Sequence, residues 1–384
     1  MKRLADRINS IEESKSVGLS ALISELKNKG EKIIGLNVGE PDFATPPQII
    51  EATKKALDEN KTRYSLVQGI RELRMAIVEK LKKENHLDIT EKNVIIGNGS
   101  KQILYNIFQT MINPGDEVII PAPYWVTFPE SVKLAGGVPI IVDTTDHQLD
   151  LAKIKDAITD KTKMIIINTP NNPTGAVYPE KDLRLLAELC VKEDIYIVSD
   201  EAYERLVFDN KHISIATFGP EVFKRTLTVQ TFSKSHCMTG FRLGYLIADE
   251  IVINAVNKLQ SHLTGNNCTF AQYGAIEALH MDPSIIDDMI EIMKKRRDLA
   301  FDLAKDIFKV IKPSGAMYLF PNVEEFMGKQ FKNDIEMANY ILEKAKVAVL
   351  PGSAFGQPNH LRICFAAHED EIKEGLKRIK EVLS

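Results

Sequence analysis

Lys234 stands where a lysine side chain is difficult to accommodate. It follows the run "TLTVQTFS" (226–233), whose apolar and β-branched residues predict a buried strand. Burial disfavours the ammonium form of a lysine, and the neutral amine is a nucleophile for carbonyl groups. The alternative is an ordinary lysine in an exposed loop. The residues that the fold brings near Lys234 decide between the two interpretations.

Three other apolar runs also end in residues that could bind a ligand. "NVII" leads into residues 97–101 ("GNGSK"), "KMIII" leads into 168–175 ("NTPNNPTG"), and "IYIVS" leads to Asp200 and Tyr203. In an open α/β sheet, ligands bind beyond the carboxyl ends of the strands. If these strands are parallel neighbours, all these groups meet Lys234 in one crevice. The sequence therefore predicts a single ligand site there.

The glycine turn at 97–101 favours a phosphate group rather than a nucleotide. Backbone N–H groups and the dipole of a helix N-terminus attract anions. The turn lacks the P-loop spacing, and Gln102 stands where the dinucleotide fingerprint requires glycine. Arg242 adds a guanidinium suited to a phosphate. A small phosphorylated cofactor fits this pattern, and a tight turn without a ligand is the alternative.

The remaining polar residues fit a cofactor with an aromatic ring. Asp200 could cap a helix that begins near Glu201, or it could be the counter-ion of a cationic ring nitrogen. Asn172 and Tyr203 could donate to a phenolate oxygen, or they could fill a turn and the core. Trp125, the single tryptophan, could stack on a planar ring. Together with a lysine amine and a phosphate cradle, these groups are what pyridoxal 5′-phosphate requires.

The elements that would position these residues are those of an α/β fold. Over residues 46–280, apolar runs alternate with helical patterns. The predicted strands are "NVII", "DEVIIPAP", "KMIII", "IYIVS", "TLTVQTFS" and "LGYLIA". The pattern "SKQILYNIFQTMI" predicts a helix with one apolar stripe, formed by Ile103, Leu104, Ile107, Phe108, Met111 and Ile112. This alternation is typical of a mostly parallel central sheet covered by helices. We expect 46–280 to form a large cofactor-binding domain and 281–384 a smaller α+β domain. Residues 1–45 are predicted to be an N-terminal arm that belongs to the small domain.

Composition restricts the class of protein. The 384 residues carry 49 basic and 53 acidic side chains, so the chain has no excess of positive charge that would attract nucleic acid or an anionic membrane. No run approaches the ~18 apolar residues of a membrane helix. The four cysteines are scattered, the N-terminus lacks a signal-peptide core, and the eight histidines show no metal-ligand spacing. We expect a soluble cytoplasmic protein with free thiols and without a metal.

The chain resembles the class I aminotransferases of fold type I, which use pyridoxal phosphate. The matching segments are "NVGEPDF" (37–43), "RYSLVQGIRELR" (63–74), "NPTG" (172–175), "SDEAYE" (199–204), "SKSHCMTGFRLGY" (233–245) and "LRICFA" (361–366). The likeness is greatest to prokaryotic aspartate aminotransferases. It implies a ping-pong enzyme that moves the amino group of L-aspartate, or of a related amino acid, to 2-oxoglutarate.

The resemblance also implies a role for each matching residue. Lys234 matches the lysine that binds the cofactor as an imine and carries a proton, and Asp200 matches the partner of the ring nitrogen. The other implied cofactor contacts are Tyr64, Gly99, Ser100, Lys101, Trp125, Asn172, Tyr203, Thr231, Ser233 and Arg242. The implied substrate contacts are Ser14, Gly39, Lys101, Trp125, Asn172 and Arg362.

Three of these positions imply more than a contact. Arg362 matches the arginine that binds the substrate α-carboxylate, while Lys101 and Ser14 match the contacts to the distal carboxylate of a dicarboxylic substrate. Tyr64 matches a tyrosine that reaches the phosphate in the neighbouring subunit. The resemblance therefore implies a homodimer with shared active sites.

Other functions stay open. The same scaffold serves aromatic, alanine, methionine, kynurenine and prephenate aminotransferases as well as C–S lyases. Relatives that accept prephenate carry a lysine where Glu12 stands, which argues against prephenate here, although Lys15 could compensate. A non-catalytic regulator would require a DNA-binding extension before residue 37, and a dinucleotide oxidoreductase would require the missing fingerprint. His236 and Cys237 are interpreted as packing residues.

Overall fold

The structure, a computed structural model, describes residues 4–11, 23, 25, 28 and 30–384. Its strands are, in chain order, β1 (Ile34–Gly35), β2 (Val94–Gly97), β3 (Glu117–Ala122), β4 (Val138–Asp143), β5 (Thr162–Asn168), β6 (Tyr196–Asp200), β7 (Thr226–Thr231), β8 (Gly244–Ile247), β9 (Tyr318–Leu319), β10 (Val347–Ala348), β11 (Leu350–Pro351) and β12 (Leu361–Cys364).

The α-helices bounded by described residues lie before, between and after these strands. They are α1 (Asp6–Asn9), α2 (Pro47–Asp58), α3 (Arg71–Glu84), α4 (Gly99–Met111), α5 (Thr127–Leu134), α6 (Leu151–Asp156), α7 (Glu180–Lys192), α8 (Pro220–Arg225), α9 (Glu250–Leu263), α10 (Thr269–His280), α11 (Ser284–Ala304), α12 (Asp334–Ala345) and α13 (Glu369–Leu383).

The central sheet has seven strands in the order β2-β8-β7-β6-β5-β3-β4. All neighbouring pairs are parallel except those of β8, which runs antiparallel to β2 and β7. The predicted mostly parallel sheet is therefore confirmed. The strands that lead into the predicted ligand-binding residues are not all direct neighbours, because β8 lies between β2 and β7. Since β8 is antiparallel to both, β2 and β7 still end at the same edge.

Helices cover both faces of this sheet, which explains the nearly unbroken apolar strands. On one face, α4 buries the predicted stripe of Ile103, Leu104, Ile107 and Phe108 against the sheet. On the other face, α7 packs Leu183 and Leu186. The edge strand β4 is missing from the predicted set. Its sequence "VPIIVD" contains a proline and is half-exposed, so it lacks the buried apolar signature of the inner strands.

Two smaller sheets are formed mainly by the C-terminal part of the chain. The strands β11, β12 and β9 form an antiparallel sheet, and β1 pairs in parallel with β10. Near that pair, Ile23 and Ile33 pack against Leu342 and Ala348. These contacts join part of the N-terminal arm to the C-terminal third, although the domain boundaries stay a prediction.

Two further expectations can be compared with the described part of the chain. All four cysteines are free thiols, as predicted. Within the described residues, no helix has the length and apolar composition needed to cross a membrane.

Candidate active site

Two adjoining cavities, of about 270 and 290 Å³, lie at the carboxyl edge of the central sheet. Both are lined by Val38, Gly39, Ser100, Trp125 and Lys234. Predicted site residues that line only the first are Asn172, Asp200, Tyr203 and Arg362. Those that line only the second are Lys101, Thr231, Ser233 and Arg242. The structure therefore brings the strand-end groups together as the sequence predicts.

Lys234 lies in the turn that follows β7, with its side chain directed at the loop 37–43. Its Nζ donates a hydrogen bond to the backbone oxygen of Gly39 at 2.6 Å. A Cβ atom on Gly39 would lie 2.1 Å from Tyr318 Oη, so only glycine fits this approach of the loop. Burial lowers the pKa of Lys234 to about 8. Its amine is therefore partly neutral under mildly basic conditions, as a nucleophile or proton carrier requires.

The loop over Lys234 is itself anchored to the C-terminal part of the chain. Arg296 on α11 donates to Asp42 Oδ1 at 2.6 Å and to the backbone oxygen of Ala366 at 3.0 Å. The Arg296 side chain is buried, which makes the ion pair stronger than one at the surface. This contact fixes the position of Gly39 above the lysine.

The start of α4 approaches the following elements closely. Gly99 has φ of +76°, and a Cβ there would lie 2.6 Å from Arg242 Nη2. A Cβ on Gly244 in β8 would lie 2.7 Å from the backbone nitrogen of Ser100. Glycine at both positions lets the first helical turn, β8 and the guanidinium meet. The N–H groups of that turn and the helix dipole then face the second cavity.

Hydroxyl groups and a guanidinium complete this end of the cavity. Arg242 Nη1 donates to the backbone oxygen of Thr239 at 2.8 Å, and no carboxylate among the described residues pairs with Arg242. Thr231 Oγ1 lies 3.0 Å from Ser233 Oγ and accepts from Ser233 N at 3.2 Å. One carboxylate, Glu40, is also present, hydrogen-bonded to Thr239. The donor set fits an anion with several oxygens, such as a phosphate.

Asp200 ends β6 with its carboxylate buried at the bottom of the first cavity. It is only 3% exposed, and Oδ1 accepts from the backbone N–H of Ala202 at 3.1 Å. No α-helix begins at Glu201, so the helix-cap alternative is wrong. Burial, aided by the charge of Glu201, raises the pKa of Asp200 to about 7. A cation beside this carboxylate would restore its ionised form.

Arg362 on β12 is a buried guanidinium without a carboxylate partner among the described residues. It donates to Asn172 Oδ1 at 2.9 Å and to the backbone oxygen of Asn37 at 2.7 Å, and its Nε has no partner. The guanidinium carbon lies 4.4 Å from the ring centroid of Tyr318 and 4.9 Å from that of Phe355. A planar, positioned guanidinium of this kind suits a carboxylate ligand.

Aromatic rings and one lysine form the remaining walls. Tyr203 Oη lies 2.8 Å from Tyr318 Oη. Lys101 Nζ lies 5.1 Å above the ring of Trp125, a cation–π contact. Burial, with a contribution from the charge of Arg242, lowers the pKa of Lys101. The ammonium of Lys101 therefore lacks full hydration and is ready to bind an anion.

Three predicted site residues, Gly99, Tyr64 and Ser14, are not among the residues that line these cavities. Gly99 lies against the guanidinium of Arg242 at the start of α4. Tyr64 is 98% exposed and lines a separate surface hollow with Thr269 and Tyr273. Ser14 and Glu12 lie outside the described residues.

Sequence reasoning missed several lining residues, of which Tyr318 is the most important. It contacts Gly39, Tyr203 and Arg362, but "GAMYLF" reads as an ordinary buried strand and carries no chemical signal. Glu40 was also missed, although it lies inside the quoted segment "NVGEPDF". A carboxylate in a segment that contacts the site was a usable signal.

Known proteins support a family assignment. The sequence profile described as "Aminotransferase class I and II" matches residues 31–379. A probable aspartate/prephenate aminotransferase from Aquifex aeolicus is 44% identical and covers 100% of this chain and 99% of its own. An aspartate aminotransferase from Bacillus subtilis is 41% identical, over 98% of each chain.

A solved structure agrees with these relatives. The structure of aspartate aminotransferase from Thermus thermophilus with maleate superposes with a TM-score of 0.94, at 37% identity and over 100% of both chains. This similarity confirms the predicted fold class. The chain therefore belongs to the class I and II aminotransferase family.

Proposed function

We propose that this protein is a pyridoxal-phosphate-dependent aminotransferase that moves the amino group of L-aspartate to 2-oxoglutarate. The main support is one pair of adjoining cavities that brings three groups together. These are the desolvated amine of Lys234, the buried carboxylate of Asp200 without a cationic partner and the buried guanidinium of Arg362 without a carboxylate partner among the described residues. Relatives named aspartate aminotransferase, at 40–42% identity over almost the whole chain, support the substrate.

The residues present fit pyridoxal phosphate. The cradle at the start of α4 would bind the phosphate together with Ser233 and Arg242, while Asp200 would pair with the ring nitrogen. Trp125 would stack on the ring. Asn172 Oδ1 already accepts from Arg362, so its amide N–H groups are left to donate to the ring oxygen together with Tyr203.

When bound, pyridoxal phosphate supplies an electron sink for the negative charge that develops at the substrate Cα and carries the amino group between the two half-reactions. The protein's residues do the rest. Arg362 binds the α-carboxylate and so orients the Cα–H bond, while Lys234 Nζ takes the proton from Cα. The loop 37–43 covers the lysine and limits the access of water.

Replacing Arg362 with leucine tests the carboxylate site. We expect kcat/KM for aspartate to fall about 100-fold, because two charge-assisted hydrogen bonds are worth about 3 kcal/mol. Most of the loss should appear in KM. Arg184→Leu is the control. Arg184 lies on helix α7, and its guanidinium packs over the ring of Phe218, away from the cavities. An unchanged KM in Arg362→Leu would contradict the assignment.

Among the described residues, Lys101 is the predicted contact to the distal carboxylate of a dicarboxylic substrate. We propose that its ammonium binds the distal carboxylate of aspartate, together with Ser14. Its position above Trp125 and its incomplete hydration support this role. A side chain without a carboxylate would gain nothing from Lys101.

A screen of single amino acids tests the proposed function and this specificity together. Each amino acid is mixed with the loaded enzyme, and the change in cofactor absorbance gives the rate of the first half-reaction. Lys101→Ala should slow aspartate about tenfold or more while alanine is nearly unaffected, because one charge-assisted contact is lost. Lys163→Ala, which removes a lysine stacked on Tyr196, is the matched control. Equal slowing of aspartate and alanine would count against this role for Lys101.

The remaining expectations are proposals of the same kind. A homodimer is supported by the fully exposed Tyr64, which is then available to a neighbouring subunit's phosphate site. Prephenate is a second candidate substrate because relatives carry it in their names, and the same screen includes it. A cytoplasmic location stays a prediction from the free cysteines.

A further inference from the structure

A second carboxylate, Glu201, is buried directly behind Asp200. It directly follows β6 and is 1% exposed, and its carboxylate accepts from Ser199, two residues earlier, so it lies on the side opposite Asp200 and the cavity. Four groups surround its oxygens: Ser199 Oγ at 2.9 Å, Ser214 Oγ at 2.7 Å, Gln230 Nε2 at 3.0 Å and His212 Nε2 at 3.2 Å. Nothing in the mechanism above uses this residue.

Glu201 carries a negative charge at neutral pH despite its burial. Burial alone would raise its pKa, but the nearby His212 and the hydrogen bonds outweigh burial and lower the pKa of Glu201. The same charge contributes to the raised pKa of Asp200. The end of the first cavity therefore faces one carboxylate directly and a second one behind it.

The neighbouring Glu204 differs in one useful respect. It contacts the buried ammonium of Lys80 and accepts from Gln230 Nε2 at 2.8 Å, so a lysine balances its charge, whereas the basic neighbour of Glu201 is the imidazole of His212, which is charged only when protonated. Glu201, Glu204 and His212 have oxygen and nitrogen atoms within 4.8 Å of one another, as a metal site would. Lys80 and Gln230 are hydrogen-bonded to these carboxylates, so we assign no metal to the cluster.

We propose that Glu201 is a positioning residue that acts through Asp200: its fixed buried charge favours a protonated ring nitrogen at the Asp200 end of the cavity. This inference rests on the proposed use of pyridoxal phosphate. Two negative charges attract a positive ring more strongly than one, and the low polarity of the interior strengthens the effect of the more distant charge. The hydrogen bonds from Ser199 and Ser214 keep that charge in place.

A comparison of two ligands separates this effect from simple structural damage. The cofactor-free protein binds either pyridoxal phosphate or its 1-deaza analogue, in which a C–H group replaces the ring nitrogen. The measurements are made above the Asp200 pKa of about 7, so that Asp200 is already ionised before binding. The ring of the natural cofactor then gains a proton beside Asp200, and the ring of the analogue cannot.

In Glu201→Gln, we expect the preference for pyridoxal phosphate over the analogue to fall about tenfold, which corresponds to a change of about one unit in the ring-nitrogen pKa. The matched control, Glu204→Gln combined with Lys80→Gln, removes both members of a buried ion pair and so leaves the local net charge unchanged; its preference should stay within about twofold of wild type. A structural defect would weaken both ligands equally in either variant.

Other outcomes would overturn the proposal. Equal weakening of both ligands in Glu201→Gln, or the same loss of preference in the double variant Glu204→Gln with Lys80→Gln, would do so. If Glu201→Gln does not fold, Glu201→Asp replaces it, since it retains the charge. Its preference should stay within about threefold of wild type, and a tenfold loss would refute the role. Failure of the wild-type protein to bind pyridoxal phosphate would instead refute the proposed function itself.

Discussion

Lys234→Ala is expected to lower amino transfer by about 10⁴-fold, the upper range for removing a positioned acid–base group. Under the proposed function, the variant loses Nζ, the one atom that would both bind the cofactor covalently and take the proton from Cα. Steady-state turnover of aspartate with 2-oxoglutarate measures the loss. Mass spectrometry after borohydride reduction should find the cofactor attached to wild type and absent from the variant.

A control and a rescue make this result specific. Lys163→Ala removes a lysine from the opposite end of the sheet, near the start of β5, and should retain wild-type turnover. Added small alkylamines should restore part of the activity of Lys234→Ala, because a free amine can enter the cavity and carry the proton. Wild-type turnover in Lys234→Ala would contradict the proposed role of Lys234.

Asp200→Asn is expected to lower turnover and cofactor affinity by about 10³-fold, because removing one partner of a buried ion pair costs about 3–5 kcal/mol. The neutral amide cannot hold a positive charge on the ring nitrogen. Equilibrium binding of pyridoxal phosphate and steady-state kinetics measure the two losses. Asp200→Glu, which retains the charge, should recover part of both.

The same substitution should stabilise the cofactor-free protein at high pH. Burial raises the pKa of Asp200 from 3.8 to about 7, so between these values the folded state binds more protons than the unfolded state. Its stability therefore falls as the pH rises through this window. We expect cofactor-free Asp200→Asn to unfold at a higher temperature than wild type above pH 7, with the difference gone below pH 3.8. A lower unfolding temperature above pH 7 would contradict this account of Asp200.

The sequence predicted the fold class and most of the residues in the cavities. Nearly continuous apolar runs identified β2, β3 and β5 to β8, because strands buried on both faces must be apolar throughout. The rule that parallel strands place their ends at one edge then grouped Lys234 with Asp200 and Asn172. Neither rule predicts β4, because this edge strand is partly exposed and is not apolar throughout. Neither rule predicts that β8 is inserted antiparallel between β2 and β7, because strand order depends on the connections between strands.

Segment resemblance supplied what spacing could not. Arg362 and Lys101 carry no local pattern that marks them as carboxylate ligands, so their predicted roles came from the resemblance to the family, which for Arg362 includes the matching segment "LRICFA". Ser14 was predicted in the same way and lies outside the described residues. The substrate preference therefore depends on likeness to relatives, and the Lys101 experiment tests it directly.

By itself, the sequence determined that a lysine, a carboxylate and a glycine turn each follow an apolar strand, since hydrophobic periodicity is a local property. Only the tertiary structure decided how those groups are tuned. Tyr318 comes from the C-terminal part of the chain and packs against Gly39 and Arg362, while Glu201 gains its charge from partners on separate elements. Desolvation and buried charge arise from packing between distant segments, and no residue pattern along the chain encodes them.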